Sequence, residues 1–417
     1  MDTLFMAKLG LVEVAAVGVT NAILAVYISV FMALGIGASA LIARSVGAGD
    51  LERAKAVARQ STWISFIAGM FFGVVTMFFA DPLLRIMGAA PDVLEAGTRY
   101  FRIVAVPSVF ISQMVILGSI LRAAGDTRTP MKVSLWINII HIGLGYVLIF
   151  GAPGLPGLGI TGAAWATVIV RAAGATALFY SIRRSSLPFS LTEGMSFRNN
   201  KYTWPILNLT APAAVERLMM RLGQVLYFGL IIHIGTQTYA AHMIAGNVEI
   251  FSYMPGYGLA VAATTLVGQS LGARQVEKAY SYGILTTGIA VILMSFFGVG
   301  LFFLAPWAAS LFTKEQSVTG MVVTALRITA FAQPALAAGL VLAGALQGSG
   351  DTRSPMYSTG VGMWLIRVAG VYILGIQMDM GIAGVWLSIA IDLCVRAVYL
   401  FYKFRKMPDK VSSWEPT

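Results

Sequence analysis

The feature that most restricts the fold is a series of long apolar stretches that recurs along nearly the whole chain. A helix needs about 20 mostly apolar residues to cross a bilayer, and eleven stretches reach that length. They cover residues 11–45, 52–80, 92–123, 131–151, 158–184, 203–234, 237–270, 276–305, 316–347, 356–378 and 381–402, after a shorter segment at 1–9. The sequence therefore predicts an all-α, polytopic membrane protein in which every span is a helix.

Composition excludes several classes of protein. Of the 417 residues, 58% are hydrophobic and 11% are charged, against about 25% charged residues in soluble proteins. This balance excludes a soluble enzyme, a disordered chain and a secreted disulfide scaffold. Cys394 is the single cysteine, which excludes an internal disulfide and a cysteine-based metal cluster. Neither a phosphate-binding Gly-x-x-x-x-Gly-Lys-Ser/Thr loop nor a His-Glu-x-x-His pair occurs. We therefore expect neither an enzyme nor ATP-driven transport, and no cofactor.

Basic residues are concentrated on alternate loops. One set of loops, with the C-terminus, carries eighteen Lys and Arg residues and the other set carries four. The eighteen are Arg44, Arg53, Lys55, Arg59, Arg122, Arg128, Lys132, Arg183, Arg184, Arg198, Lys201, Arg274, Lys278, Arg353, Lys403, Arg405, Lys406 and Lys410, and the four are Lys8, Arg85, Arg99 and Lys314. An excess of Lys and Arg marks cytoplasmic loops. This bias explains the formal charge of +11 without a nucleic acid partner.

The chain also contains an internal repeat. The Gly-Asp-Thr-Arg motif at 125–128 recurs at 350–353, and Gly47-Ala48 recurs at the same offset as Gly272-Ala273. Three residues then drop out of the register, so that Gly159-Ile160 pairs with Gly381-Ile382. Each half then holds six helices, and an even number gives both halves the same orientation, as parallel repeats. Transporters built in this way place the substrate between their halves.

The repeat defines the expected domains. An N-terminal six-helix lobe covers 1–184, a cytoplasmic linker 185–202, a C-terminal six-helix lobe 203–405 and a cytoplasmic tail 406–417. A repeat partner for Trp204 would stand 225 positions earlier, before Met1. We therefore expect the first helix to be incomplete in this chain.

The two Gly-Asp-Thr-Arg loops are predicted to have a structural role. Gly125 and Gly350 end the preceding helices. Thr129 and Ser354 are expected to be the N-caps of the helices that follow, each with proline at the next position.

Charged residues within the spans carry most of the functional information. An acidic side chain at the centre of a bilayer costs roughly 2.5–3.5 kcal/mol, so each one needs a reason. Glu216 lies near the middle of span 203–234, where either a functional carboxylate or an ion pair with Arg217, Arg221 or Arg327 fits. Glu249 precedes Pro255-Gly256 and is expected to face a cavity. Asp2 is expected to be functional, whereas Asp392 is expected to form a structural pair with Arg396 at i+4.

Several other residues are candidates for a substrate cavity. His141 lies deep in a span, where a satisfied core histidine is favoured over a proton relay. Methionine side chains adapt to varied ligands, although most of the 20 methionines are expected to pack or to face lipid. The cavity candidates are Glu249, His141, Met219, Met220, Tyr227 and Met254.

The duplicated twelve-helix plan and a set of ordered motifs resemble the multidrug and toxic compound extrusion (MATE) family. The motifs are Asp2-Thr3-Leu4-Phe5, Pro212 with Glu216, Ala240-Ala241-His242, Met254-Pro255-Gly256, Leu266-Val267-Gly268-Gln269 with Leu271-Gly272, and both Gly-Asp-Thr-Arg loops. The resemblance covers essentially the whole chain. The segment 262–269 is most similar to the branch named for the DNA-damage-inducible protein DinF.

The resemblance implies secondary active export of amphipathic or cationic organic compounds from a bacterial cytoplasmic membrane. It implies a cation-coupling carboxylate at Asp2 and a second functional carboxylate at Glu216. Many relatives carry an Asn and an Asp where this chain has His141 and Gly145, and sodium-coupled relatives carry an acidic residue where this chain has Pro334-Ala335-Leu336. Few sodium ligands are left, so protons are favoured over sodium. The expected partners are drugs, protons and the lipid bilayer, and the expected state is a monomer.

Three alternatives stay open. A sodium-coupled drug exporter and a lipid-linked saccharide flippase of the same superfamily share the architecture. A flippase is expected to have more basic residues in its cavity than the mixed charges found here. A membrane-embedded enzyme or receptor requires a clustered catalytic set or a large extracellular domain, and the sequence has neither.

Overall fold

The computed structural model describes residues 5–6, 8–152, 155–184 and 201–412. Helices dominate the described part. They are α1 (Leu11–Gly47), α2 (Leu51–Ile86), α3 (Pro91–Ala105), α4 (Ser108–Ala123), α5 (Arg128–Phe150), α6 (Gly159–Arg184), α7 (Thr203–Ile234), α8 (Thr236–Gly272), α9 (Val276–Ser310), α10 (Gln316–Gly348), α11 (Arg353–Gly360), α12 (Gly381–Arg405) and α13 (Met407–Ser412). Between α11 and α12 the chain continues as two π-helical segments, Val361–Val368 and Val371–Gln377.

These helices confirm the predicted all-α membrane fold. Within the described ranges, ten helical segments are long and apolar enough to cross a membrane, and the bent pair α3 and α4 makes eleven. The pair bends by 47° at Pro107, whose missing N–H and bulky ring interrupt a helix. The sequence did not predict one small element, a hairpin of β1 (Gly151–Ala152) with β2 (Leu155–Pro156).

Apolar side chains on the outer faces of the helices are widely exposed. On α9, Ile292 and Phe296 are each 74% exposed and Phe303 is 73% exposed. They lie four and seven residues apart, which places them on one face of the helix. Exposed aromatic and aliphatic faces of this kind suit contact with lipid chains rather than water.

The two Gly-Asp-Thr-Arg turns have the same geometry but not the predicted caps. Gly125 and Gly350 have φ of 101° and 89° and follow the preceding helices, as predicted. The next helices begin at Arg128 and Arg353 rather than after Thr129 and Ser354. The acceptor is an aspartate in both turns: Asp126 Oδ1 accepts from the Thr129 backbone N–H at 3.0 Å, and Asp351 Oδ1 accepts from that of Ser354 at 2.9 Å. The prediction that Thr129 and Ser354 are N-caps was therefore wrong. The Asp126 and Asp351 carboxylates accept from the free backbone N–H groups instead.

The chain divides into two compact units. Unit 1 takes Met1–Ile42 and Leu51–Thr210, and unit 2 takes Ala43–Asp50 and Ala211–Thr417. The core of unit 1 includes Phe31, Leu84 and Phe101. In unit 2 one cluster of described residues lies around Tyr227 and Trp386, and another lies on α8, α9, α10 and the end of α12. Residues 185–200 of the predicted linker lie outside the described residues.

Helices α8 and α10 of unit 2 run side by side in constant register. Thr264 on α8 donates to the Gly344 carbonyl on α10 at 2.8 Å, and a Cβ at Gly344 would collide with the Ala260 carbonyl. Glycine therefore permits this close approach of the two backbones. Glu249 and Thr329, fifteen residues earlier on each helix, are again in contact. The packing at Gly344 thus sets which residues meet four turns away.

Candidate functional site

The candidate site lies in unit 2 and begins with a buried charge triad, which we define as Arg367, Asp392 and Arg396. Asp392 is fully buried, and both arginines are less than 10% exposed. Arg396 Nε donates to Asp392 Oδ1 at 2.6 Å, and its Nη2 donates to Oδ2 at 3.1 Å. Arg367 donates to Oδ2 through Nε at 2.8 Å and Nη2 at 2.7 Å. The predicted Asp392–Arg396 pair is confirmed, with a second arginine added.

A missing side chain makes room for this triad. A Cβ at Gly362 would collide with Asp392 Oδ1 and Arg396 Nε. Gly362 is the second residue of the first π-helical segment, Val361–Val368, which also carries Arg367. π-Helical turns are rare and recur at functional sites. The local backbone therefore supplies both the space for the Asp392–Arg396 pair and the second arginine.

Glu216 on α7 is joined to the triad through one hydroxyl. Thr359 Oγ1 donates to Glu216 Oε1 at 3.3 Å and accepts from Arg396 Nη1 at 3.4 Å. Gln347 Nε2 donates to Glu216 Oε2 at 3.4 Å. Both carboxylate oxygens of Glu216 thus accept from neutral donors.

Of the three arginines predicted as ion-pair partners of Glu216, Arg217 acts on the carboxylate electrostatically, and the other two have other described contacts. Arg221 Nη1 donates to Gln224 at 3.0 Å, and Arg327 stacks over the Phe302 ring at 5.2 Å. The basic group that reaches Glu216 through a described hydrogen-bond chain is Arg396. Arg217 and Arg396 of the triad thus both act electrostatically on the Glu216 carboxylate, whereas Arg221 and Arg327 have contacts elsewhere.

Glu249 on α8 forms the second acidic position. Thr329 Oγ1 on α10 donates to Glu249 Oε1 at 2.7 Å. Thr329 is buried, whereas Glu249 is partly accessible. Among the described residues, no Lys, Arg or His nitrogen forms an ion pair with this carboxylate. The hydroxyl orients the carboxylate without neutralising it.

An aromatic cluster adjoins the triad. The Tyr227 and His242 rings are 5.8 Å apart, and the His242 and Trp386 rings are 5.4 Å apart. The guanidinium of Arg367 lies 5.7 Å from the Tyr227 ring centroid. Within the described part, His242 Nδ1 and Trp386 Nε1 are buried without a hydrogen-bond partner. The cluster thus meets the triad where the Tyr227 ring lies beside Arg367.

The remaining predicted residues fall in different places. Asp2 lies outside the described residues. His141 belongs to unit 1, where its Nε2 is 3.3 Å from Thr167 Oγ1. The Met219 carbonyl accepts from Trp364 Nε1 at 3.2 Å, Met220 packs on the Tyr227 core cluster, and Met254 is 55% exposed. Of the described candidates, His141 therefore lies in unit 1, whereas Glu216, Glu249, Tyr227, Met219, Met220 and Met254 lie in unit 2.

Outside this cluster, the described residues line a cavity but form no group of metal ligands. A cavity of about 610 Å³ in unit 1 is lined by Asp81, Pro91, Leu94, Glu95, Thr98, Arg99, Arg102 and Ile103, none of which was predicted as a site residue. Among the described residues, no three His, Cys, Asp or Glu side chains are grouped closely enough to hold a metal ion.

Sequence reasoning missed Arg367, Thr359, Thr329 and Gln347. Arg367 carried a usable signal, because a charge inside an apolar span needs a partner, and Asp392 is the acidic residue of the neighbouring span. Thr359, Thr329 and Gln347 gave no such signal in the sequence, since neutral polar residues are common in membrane helices.

The arrangement has a definite charge balance. The triad sums to +1, and an ionised Glu216 brings the sum to zero. An ionised Glu249 adds −1, because its described contact is with a neutral hydroxyl. Over the triad, Glu216 and Glu249 alone, the formal charge is then −1.

Comparison with known proteins gives independent evidence. A family model described as MatE matches residues 1–147 and 212–373. The probable multidrug resistance protein NorM of Thermotoga maritima is 29% identical over 399 residues, which cover 95% of this chain and 85% of the relative. The uncharacterized transporter YisQ of Bacillus subtilis is 27% identical over 412 residues, which cover 97% of this chain and 89% of the relative.

Solved structures agree with these matches. A crystal structure of a MATE in complex with MaD3S superposes with a TM-score of 0.91 at 25% identity. An outward-facing multidrug resistance MATE family transporter of the MOP superfamily superposes with a TM-score of 0.92, also at 25% identity. Each comparison covers 99% of this chain and 92% of the other.

Proposed function

Because the chain belongs to the MatE family of membrane transporters and is therefore not an enzyme, we propose that it is a secondary active multidrug efflux antiporter. It exports amphipathic or cationic organic compounds in exchange for protons across a bacterial cytoplasmic membrane. The multidrug assignment is supported by the name of the Thermotoga maritima relative, a probable multidrug resistance protein.

The observation that carries the proton assignment is the environment of Glu216. Its two oxygens accept from Thr359 and Gln347, and the Thr359 oxygen is itself engaged by Arg396. A bound sodium ion needs several oxygen lone pairs directed at it. The groups around Glu216 direct N–H and O–H donors at its oxygens instead, which leaves few lone pairs for sodium and favours a proton as the coupling ion.

Exchange follows from competition for the coupling carboxylates, which we assign as Asp2 and Glu216. An ionised carboxylate attracts a cationic substrate, and a protonated one releases it. A ligand shifts a conformational equilibrium only through its preference for one state. A group that cannot hold a proton and a cation together is therefore sufficient to couple their movements in opposite directions.

Transport by inverted vesicles that contain the chain tests this proposal. A proton gradient and a sodium gradient are imposed separately, and the accumulation of ethidium is followed by fluorescence. Ethidium accumulation driven by the proton gradient alone is expected. Accumulation driven by sodium alone would replace proton coupling with sodium coupling, and accumulation with neither gradient would contradict the antiporter.

Two substitutions test the carboxylates in the same assay. Asp2→Asn is expected to abolish proton-driven accumulation, and Asp2→Glu to retain part of it. Glu216→Gln is expected to have a smaller effect, because Thr359 and Arg396 hold that carboxylate in a fixed network. Normal proton-driven transport by Asp2→Asn would remove Asp2 from the mechanism.

A further inference from the structure

One face of α8 carries a carboxylate followed by two aromatic rings. Glu249, Tyr253 and Tyr257 are spaced four residues apart, which aligns them along one side of a helix. The Tyr253 and Tyr257 rings are stacked, with centroids 6.2 Å apart and an interplanar angle of 18°. All three side chains are partly accessible. A ligand at this face meets a negative charge and two aromatic rings.

The Glu249 carboxylate is held in position but keeps one oxygen for a ligand. Thr329 Oγ1 donates to Oε1 at 2.7 Å, which anchors that oxygen. Within the described residues, Oε2 has no hydrogen-bond donor. The guanidinium that acts on Glu249 electrostatically belongs to Arg367, and that group is already bound to Asp392.

Charged groups of both signs act on this face. Arg217, Arg221 and Glu216 act electrostatically on Tyr253, and Arg367 acts on Glu249. Because Arg367 is paired with Asp392, the attraction for a cation at this face comes from the Glu249 carboxylate itself.

The internal repeat provides a control for the structural role of Glu249 and Thr329. At the offset of 225 residues, Glu249 corresponds to Leu24 and Thr329 corresponds to Val104. Leu24 and Val104 are buried in the core of unit 1. Unit 1 thus forms its core with apolar residues at both positions. The carboxylate and hydroxyl of unit 2 are not required by this repeat and call for another explanation.

We propose that Glu249, Tyr253 and Tyr257 bind the charged group of one monovalent organic cation. The inference rests on the proposed function and names a substrate site for it. The carboxylate supplies the counter-charge, and the tyrosine rings attract the cation through their π-faces. Neither interaction needs a directional hydrogen bond, so the site accepts cations of varied shape.

Binding of tetraphenylphosphonium to the purified full chain in lipid nanodiscs, measured by calorimetry, tests the proposal. Glu249→Gln retains the hydrogen bond to Thr329 but removes the charge, and it is expected to weaken binding at least tenfold. Tyr253→Leu is expected to weaken binding about two- to fivefold, whereas Tyr253→Phe retains the ring and is expected to bind as the wild type does. Glu277→Gln, on the exposed first turn of α9, is the control for loss of one negative charge.

The outcomes separate the site from the proposed function. Wild-type affinity for tetraphenylphosphonium in Glu249→Gln, or equal losses of affinity in Glu249→Gln and Glu277→Gln, would overturn the proposed site. Neither result would contradict the proposed antiporter function. Failure of the wild-type chain to bind tetraphenylphosphonium would overturn both the site and export of organic cations. If Glu249→Gln does not elute as a single folded species, Tyr253→Leu and Tyr253→Phe decide the matter. Equal affinities in those two variants would contradict the site.

Discussion

The Thr359 hydroxyl donates to the Glu216 carboxylate at 3.3 Å, across 143 positions of sequence. Because the same hydroxyl accepts from Arg396, it connects a partly accessible carboxylate with a buried triad. A change in the charge of Glu216 therefore changes the electrostatic environment of Arg396 on α12. These contacts connect an accessible acid with buried groups of unit 2.

Removal of the Thr359 hydroxyl is expected to impair transport. Thr359→Val keeps the shape but loses both hydrogen bonds, and a hydrogen bond to a charged group contributes about 1.5–3 kcal/mol. We expect roughly a tenfold fall in the initial rate of proton-driven ethidium transport by inverted vesicles. Thr359→Ser keeps the hydroxyl and is expected to stay within about twofold of the wild type.

A double-mutant cycle identifies the partner of Thr359. If Thr359 acts through Glu216, Thr359→Val has little further effect in a Glu216→Gln background, so the two effects are not additive. Additive effects, or normal transport by Thr359→Val, would show that this contact is not used in transport.

Loss of Asp392 is expected to destabilise unit 2 strongly. Asp392→Leu leaves Arg367 and Arg396 buried without their counter-charge, and breaking a buried pair costs about 3–5 kcal/mol. The expected result is a large fall in the unfolding temperature of the detergent-solubilised chain. Asp81→Asn is the control, because the Asp81–Arg85 pair is exposed and such pairs contribute about 0–1 kcal/mol.

Neutralising the whole triad is expected to restore stability. At the shifted register of 222 residues, Asp392 corresponds to Val170 and Arg396 corresponds to Gly174, so unit 1 has no such charges at these positions. We expect Asp392→Leu combined with Arg367→Met and Arg396→Met to recover much of the lost unfolding temperature. A triple variant as unstable as Asp392→Leu alone would show that the triad has a packing role that apolar side chains cannot replace.

Gly362→Ala is expected to disturb the triad without removing any charge. The added methyl group meets Asp392 Oδ1 and Arg396 Nε, and overpacking of this kind costs about 1–3 kcal/mol. Gly258→Ala on α8 is the matched control, because a Cβ there has no neighbour within 4 Å. We expect Gly362→Ala to lower the unfolding temperature and Gly258→Ala to leave it unchanged. Equal stability in the two variants would contradict the close fit at Gly362.

The helices were predictable from the sequence because a membrane span requires one continuous apolar run. The run at 203–234 coincides with α7, Thr203–Ile234. The π-helical backbone at Val361–Val368 was not predictable, since its residues also suit an α-helix. The N-caps were assigned to Thr129 and Ser354 because hydroxyls favour that position, whereas the nearby carboxylates of Asp126 and Asp351 accept the N–H groups.

The candidate site was predictable only where its residues are neighbours in sequence. Asp392 and Arg396 lie one turn apart on α12, so their pairing follows from spacing alone. Arg367, Thr359 and Glu216 come from separate helices, and their meeting depends on how those helices pack. An acid in a span can therefore be identified from the sequence, but the donor that contacts it cannot.

Cysteine labelling tests the predicted orientation of the two repeats. The turns at 125–128 and 350–353 are both predicted to be cytoplasmic, because basic residues concentrate there. Thr127 and Arg353 are exposed whereas Thr352 is buried, so Thr127→Cys and Arg353→Cys are the suitable reporters, each in a Cys394→Ser background. An impermeant maleimide added to intact cells is expected to leave both unlabelled and to label Lys314→Cys, which is predicted to lie outside. Labelling of Thr127→Cys or Arg353→Cys alone would mean that the two halves do not insert in parallel.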